Sequence, residues 1–145
     1  MEDENKLVVD ATEEALDDVE KYIEDKLDAA GCTNKQKIQI RLAIEEIFVN
    51  IAMYAYSPGM GKAEVICEIL DEEPIAVMIK FIDSGKQFNP LEKEDADTSG
   101  KMFIEREGGF GIHLVKNIMD VVEYEYIEGK NVLTVKKDLN IKKVS

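Results

Sequence analysis

A carboxylate and a carboxamide stand four residues apart in a strongly apolar stretch of the chain. Glu46 and Asn50 lie within residues 40–56, where isoleucines recur at helical spacing. Side chains with this separation project from one face of a helix, and their oxygens suit a hydrated hard cation and an activated water or hydroxyl. Burying them without partners would cost roughly 2 kcal/mol or more each. The pair is therefore expected to line a wet cavity, unless the two side chains satisfy each other by a core hydrogen bond.

Two glycine-containing segments downstream could hold a ligand. Asp83-Ser84-Gly85 directly follows a predicted strand, so Asp83 could accept a hydrogen bond from an exocyclic amine while Gly85 lets a flat ring approach. Taken alone, that tripeptide is more simply a turn. Gly108-Gly109-Phe110-Gly111 precedes an apolar helix, where bare amides would bind phosphates, unless the glycines are only a lid hinge. With the helical pair, these segments predict a nucleotide site with adenine at Asp83, phosphates at the second segment and Mg²⁺ at Asn50.

The elements that must position these groups are segregated along the chain. A capping box at residues 33–36 opens the central helix, which is expected to run to about Tyr56 and to be buried on most sides. Strands are predicted at residues 6–9, 63–70, 75–82, 121–127 and 131–137, and further helices before Gly31 and at residues 112–119. This order favours an α+β two-layer sandwich with helices on one face of the sheet over a doubly wound sheet.

Composition and charge exclude several classes of protein. A chain of 145 residues with 45% hydrophobic and 34% charged residues is expected to form one globular domain. The formal net charge of −13 argues against binding nucleic acid or an anionic membrane surface. No apolar run approaches the roughly 18 residues of a membrane span, and the acidic N-terminus lacks a signal-peptide core. Cys32 and Cys67 have no metal-ligand spacing, so a reduced, cytoplasmic chain is expected.

Three segments taken in order resemble the N, G1 and G2 boxes of the GHKL superfamily of ATP-binding proteins, which includes the histidine kinases. They are Glu46-Ile47-Phe48-Val49-Asn50, Asp83-Ser84-Gly85-Lys86-Gln87-Phe88-Asn89-Pro90 and Gly108-Gly109-Phe110-Gly111-Ile112-His113-Leu114-Val115. The short chain and the Phe-Asn-Pro sequence after G1 resemble the bacterial anti-sigma regulatory factor serine/threonine protein kinases. The pattern departs from a full D-x-G-x-G box at Gln87.

The resemblance implies a fold and a role for each matching residue. The fold would be the Bergerat ATP-binding sandwich, with a mixed, mostly antiparallel sheet, and residues 1–145 would form a single ATP-binding domain. Asn50 would hold Mg²⁺ and Glu46 would act as general base. The nucleotide contacts would come from Asp83, Gly85, Gly109 and Gly111, the first two at adenine and the glycines of the second segment at the phosphates.

The resemblance also implies a function. The chain would use ATP and Mg²⁺ to phosphorylate a serine or threonine of an anti-sigma antagonist protein, would sequester a sigma factor, and would pair as a homodimer. A non-catalytic module of the same fold, in which nucleotide gates protein binding, is the alternative. A detached catalytic domain of a histidine kinase is disfavoured, because no phosphoacceptor helical segment is expected in a chain that the sandwich fills.

Overall fold

The computed structural model describes residues 6–91 and 111–141, which contain five strands and three α-helices. In chain order the elements are β1 (Lys6–Asp10), a 3₁₀ helix (Glu13–Ala15), α1 (Leu16–Ala30), α2 (Asn34–Asn50), a π-helical segment (Ile51–Ala55), β2 (Lys62–Leu70), β3 (Ile75–Asp83), α3 (Gly111–Ile118), β4 (Val121–Ile127) and β5 (Lys130–Ile141). Every strand and helix predicted within these ranges is present. Strand β5 is longer than predicted and continues to Ile141.

The five strands form one sheet in the order β1-β2-β3-β5-β4. Each neighbouring pair in the described part of the chain is antiparallel. The sheet was expected to be mixed and mostly antiparallel, and no parallel pair occurs among the described strands. Strand β3 is central, and its last residue, Asp83, lies opposite Ala63 of β2 and Asn131 of β5. The α+β two-layer class is confirmed, and the end of the central strand is held between two neighbouring strands.

The core lies between the helices and one face of the sheet. On β2, Val65 and Cys67 are fully buried whereas Ile66 between them is partly exposed, as strand alternation requires. Burial raises the pKa of the Cys67 thiol to about 12, so this cysteine is an inert core residue. Helices α1 and α2 contribute the stripe of buried side chains Val19, Ile23, Leu27, Ile40, Ile44 and Ile47. Across the described residues, no helix is both long and apolar enough for a membrane crossing.

Helix α2 is covered on one side only, which corrects the expectation that it is buried on most sides. Ile40, Ile44 and Ile47 are buried, but Ile38 and Leu42 are 60% and 44% exposed. A two-layer sandwich covers only the face of a helix that meets the sheet and its neighbours. The apolar content of the sequence therefore overstated how much of this helix is enclosed.

The ends of α2 position its polar residues. The Thr33 side chain caps the helix by accepting a hydrogen bond from the Gln36 backbone N–H at 3.2 Å, as the capping box predicts. The α-helix ends at Asn50, and the predicted continuation to about Tyr56 is π-helical over Ile51–Ala55. Single π-turns of this kind often occur at functional sites. Here the change of helix type comes directly after the residue predicted to hold a metal ion.

Candidate functional site

The carboxylate of Asp83 is buried at the end of β3, with 6% of the residue exposed. Its Oδ1 accepts hydrogen bonds from the Gly85 backbone N–H and from Asn131 Nδ2, both at 2.9 Å. Within the described residues, no hydrogen bond reaches Oδ2. Because a buried acceptor without a donor is costly, this oxygen is suited to take a hydrogen bond from a ligand.

Asn131, the first buried residue of β5, is a site residue that the sequence prediction missed. It is 7% exposed. Its Nδ2 donates to Asp83 Oδ1 and to the Lys86 carbonyl oxygen, the latter at 2.8 Å. Its Oδ1 accepts from the Phe88 backbone N–H at 3.0 Å and from the Tyr124 hydroxyl. One amide therefore joins the turn after β3 to both strands of the terminal hairpin.

A weak signal for Asn131 is present in the sequence. Residues 131, 133 and 135 of β5 share one face, and Leu133 and Val135 are core residues. A polar residue in phase with apolar neighbours is expected to need hydrogen-bond partners. The pattern alone does not identify them, because Asp83 is 48 residues away along the chain.

The turn after β3 is held against the end of the π-helical segment. The Lys86 backbone N–H donates to the Ala55 carbonyl oxygen at 2.9 Å, and the Ser84 backbone N–H donates to the Tyr56 hydroxyl at 2.7 Å. A Cβ on Gly85 would lie 2.5 Å from the carbonyl carbon of Ala55. Gly85 is thus required for close approach of two backbones, in addition to any approach by a ligand ring.

Glu46 and Asn50 are both partly exposed on α2, and the structure shows no hydrogen bond between these two side chains. The pair is therefore neither sealed in the core nor satisfied by mutual contact. Gly111, the first residue of α3, is buried against Glu46: a Cβ on Gly111 would lie 3.1 Å from Glu46 Cδ and 3.2 Å from its Cβ. The start of α3 thus lies directly against the carboxylate-bearing residue. Gly109, the other predicted phosphate contact, lies outside the described residues.

The predicted residues form two groups joined by one helical run. Asp83 and Gly85 lie at the end of β3, and Glu46, Asn50 and Gly111 lie where α2 meets α3. The π-helical segment connects them, since it begins after Asn50 and ends at the Ala55 carbonyl that holds the turn after β3. Tertiary structure thus links segments that are far apart in sequence.

A cavity of about 230 Å³ lies elsewhere, between α1 and α2. Its lining includes Glu20, Leu27, Lys37 and Arg41, and none of the predicted site residues. The chemistry of the buried carboxylate and the acid–amide pair, not this cavity, therefore defines the candidate site.

The sheet is antiparallel and has a buried aspartate at the end of its central strand. Next to it, α2 carries the acid–amide pair and α3 begins at a glycine. These features together are those of an ATPase-type α+β sandwich. The sequence model of the histidine kinase-like ATPase domain matches residues 9–137. The chain belongs to the histidine kinase-like ATPase family, as the three sequence boxes indicate.

Two curated bacterial relatives narrow the similarity. The chain is 28% identical over 101 residues to the anti-sigma F factor of Caldanaerobacter subterraneus subsp. tengcongensis, covering 70% of this chain and 68% of the relative. It is 24% identical over 119 residues to the serine-protein kinase RsbW of Bacillus cereus, covering 77% of this chain and 74% of that protein. The similarity to anti-sigma regulatory kinases therefore extends over most of the chain.

A solved structure shares the fold. The histidine kinase AdeS of Acinetobacter baumannii superposes with a TM-score of 0.53 at 19% sequence identity, covering 94% of this chain and 68% of that one. At this identity the similarity concerns the architecture of the sandwich.

Proposed function

We propose that this protein binds Mg-ATP and transfers the γ-phosphate to a serine or threonine of an anti-sigma antagonist, and that it sequesters a sigma factor. The observation that carries the nucleotide part is the Asp83 carboxylate, buried and with one oxygen that takes no hydrogen bond from a described residue. The names of the two relatives, an anti-sigma factor and a serine-protein kinase, support the regulatory part.

Asp83 would recognise the base. A carboxylate oxygen is an acceptor, so it fits the exocyclic amine of adenine and disfavours a carbonyl at the same place. Gly85 donates its backbone N–H to the other oxygen, which holds the carboxylate in one orientation. The adenine would therefore lie over the turn between residues 83 and 88, at the end of the central strand.

The phosphate end would rest on α2 and the start of α3. Mg²⁺ commonly takes one or two protein oxygens and completes its shell with water and phosphate oxygens, and the partly exposed Asn50 amide fits that role. No group of three or more His, Cys, Asp or Glu side chains that could hold a metal ion occurs in residues 6–91 and 111–141. When bound, Mg²⁺ would neutralise phosphate charge. The chain has a net charge of −13, so its overall charge does not attract phosphates.

Glu46 would be the general base. It is partly exposed, so an attacking hydroxyl can reach it, and it lies against Gly111 at the start of α3, where the phosphates would be bound. Its carboxylate would accept the proton of the substrate serine or threonine as the phosphoryl group is transferred. Gly109 would add a further phosphate contact. Positioning and charge stabilisation would supply most of the rate enhancement.

The sigma-factor part of the proposal draws on the relative named as an anti-sigma F factor. We infer that the protein acts in the bacterial cytoplasm, where sigma factors work, and that it pairs as a homodimer. Size-exclusion chromatography with light scattering tests the pairing; a mass of one chain at every concentration would overturn it.

The test of kinase function uses ATP labelled at the γ-phosphate, candidate antagonist proteins and three variants. Glu46→Gln should lower transfer by about a hundredfold or more while ATP still binds, because only the base is lost. Asn50→Ala should also weaken Mg²⁺-dependent ATP binding. Glu45→Gln is the matched control, since it removes the same charge from the exposed neighbouring residue, and it should leave transfer unchanged.

The outcomes separate the two candidate functions. Transfer that is lost in Glu46→Gln and kept in Glu45→Gln supports the kinase. A wild-type protein that binds Mg-ATP but labels no candidate favours the non-catalytic, nucleotide-gated module instead. A protein that takes up no adenine nucleotide would overturn both proposals.

A further inference from the structure

We propose that Asn131 is a positioning residue for base recognition: it sets the orientation of Asp83 so that Oδ2 faces the adenine amine. The inference rests on the proposed ATP binding and adds a residue that neither glycine-containing segment includes. Asn131 lies on β5, directly opposite Asp83 in the register of the sheet.

The two ends of the Asn131 amide can be told apart by its neighbours. The Lys86 carbonyl can only accept a hydrogen bond, so the atom of Asn131 that lies 2.8 Å from it is the nitrogen Nδ2. The Phe88 backbone N–H can only donate, so the atom that faces it at 3.0 Å is the oxygen Oδ1. With the amide oriented in this way, the second hydrogen of Nδ2 is directed to Asp83 Oδ1 at 2.9 Å. The backbone thus decides which atom of Asn131 meets the carboxylate.

The hydrogen-bonding capacity of Asn131 is fully used. Its two N–H groups go to Asp83 and Lys86, and its oxygen accepts from Phe88 and Tyr124. A carboxamide has two donors and about two acceptor positions, so none remains for a ligand. Asn131 therefore acts on the nucleotide through Asp83 and does not contact it.

The consequence for Asp83 is a carboxylate in which one oxygen accepts two hydrogen bonds and the other accepts none from a described residue. Oδ1 accepts from both Gly85 and Asn131, and such bonds to a charged acceptor are strong and directional. Rotation of the carboxylate would break both bonds, so Oδ2 keeps one direction. A fixed acceptor of this kind favours a ligand that carries a hydrogen-bond donor at the matching position over one that lacks it.

The experiment compares two nucleotides in wild type and variants. Purine riboside triphosphate has the ring and phosphates of ATP but lacks the 6-amino group. By isothermal titration calorimetry with Mg²⁺, the wild type should bind ATP roughly tenfold more tightly than this analogue, the value of one hydrogen bond to a charged group. Asn131→Asp, which loses both donors and keeps the acceptor oxygen, should lose most of this preference while binding of the analogue changes little.

Two further variants complete the design. Asn140→Asp is the matched control, because it makes the same charge change at an exposed residue of the same strand, and it should keep the tenfold preference. Asn131→Ala adds no charge and should lose the preference as Asn131→Asp does. Circular dichroism verifies that each variant is folded.

Each outcome is decisive. Loss of the preference for ATP in the Asn131 variants, with Asn140→Asp unaffected, supports the positioning role. Equal weakening of both nucleotides, an unchanged preference, or failure of both Asn131 variants to fold overturns it, because Asn131 would then be a structural residue only. A wild type that binds both nucleotides equally overturns recognition of the adenine amine by Asp83, and with it the role of Asn131, whereas a wild type that binds neither nucleotide overturns the proposed function.

Discussion

Two glycines at the candidate site exclude a side chain for different reasons. At Gly85 an added Cβ would meet the backbone of Ala55, with its carbonyl carbon at 2.5 Å. At Gly111 it would meet the side chain of Glu46, first of all its carboxylate oxygen, with Cδ at 3.1 Å. The neighbour at Gly85 is backbone, which cannot shift without moving the turn, whereas the nearest neighbour at Gly111 is the outer end of a side chain.

The difference shows how the two ends of the site are built. The end around Asp83 is a closed set of hydrogen bonds between backbone and buried side chains, so its geometry is part of the fold. The end around Glu46 is a partly exposed side chain against the start of α3, so its geometry depends on how side chains pack there. Substitutions around Asp83 should lower both stability and ATP binding, whereas substitutions at Glu46 and Gly111 should mainly slow phosphoryl transfer.

Gly85→Ala should have the largest effect on stability. The methyl group would force the turn after β3 away from Ala55 and break the bond from the Lys86 N–H, lowering the free energy of unfolding by about 3 kcal/mol. ATP binding should be lost as well. Denaturant titration and calorimetry measure the two effects, and an unchanged unfolding midpoint would contradict the proposed close packing of the backbones.

Gly111→Ala should separate chemistry from stability. We expect phosphoryl transfer to fall about tenfold, equivalent to roughly 1.4 kcal/mol, because the Glu46 carboxylate must move. The free energy of unfolding should change by less than about 1 kcal/mol, since alanine is also the better helix former. Labelled-ATP transfer and denaturant titration test this. A loss of stability as large as that of Gly85→Ala would erase the contrast between the two ends.

Tyr56→Phe should destabilise the same end of the site less than Gly85→Ala does. The hydroxyl accepts from the Ser84 N–H and donates to the Lys62 carbonyl at 2.6 Å, so its removal should lower the free energy of unfolding by about 1 kcal/mol and loosen the turn. Tyr126→Phe is the matched control on the exposed side of β4, where 41% of the residue is accessible, and should be neutral. Equal unfolding midpoints for the two variants would show that the hydroxyl does not support the turn.

Residue types and spacing were sufficient to predict the family, the sandwich class and the elements. Periodicity identifies helices and strands because their faces repeat locally, and the three boxes are each continuous in sequence. For the same reason Glu46, Asn50, Asp83, Gly85 and Gly111 could be named in advance. Their chemical roles stay predictions, and Gly109 lies outside the described residues.

The sequence by itself therefore determined which local segments form and which side chains could do chemistry, because these depend on neighbours a few residues apart. Only the tertiary structure decided which side of α2 is covered, that Gly85 faces the Ala55 backbone, and that Asn131 holds Asp83. Each of these depends on contacts between distant segments, such as the 48 residues that separate Asp83 from Asn131. Such contacts arise from how strands pair and layers pack, and spacing along the chain does not encode them.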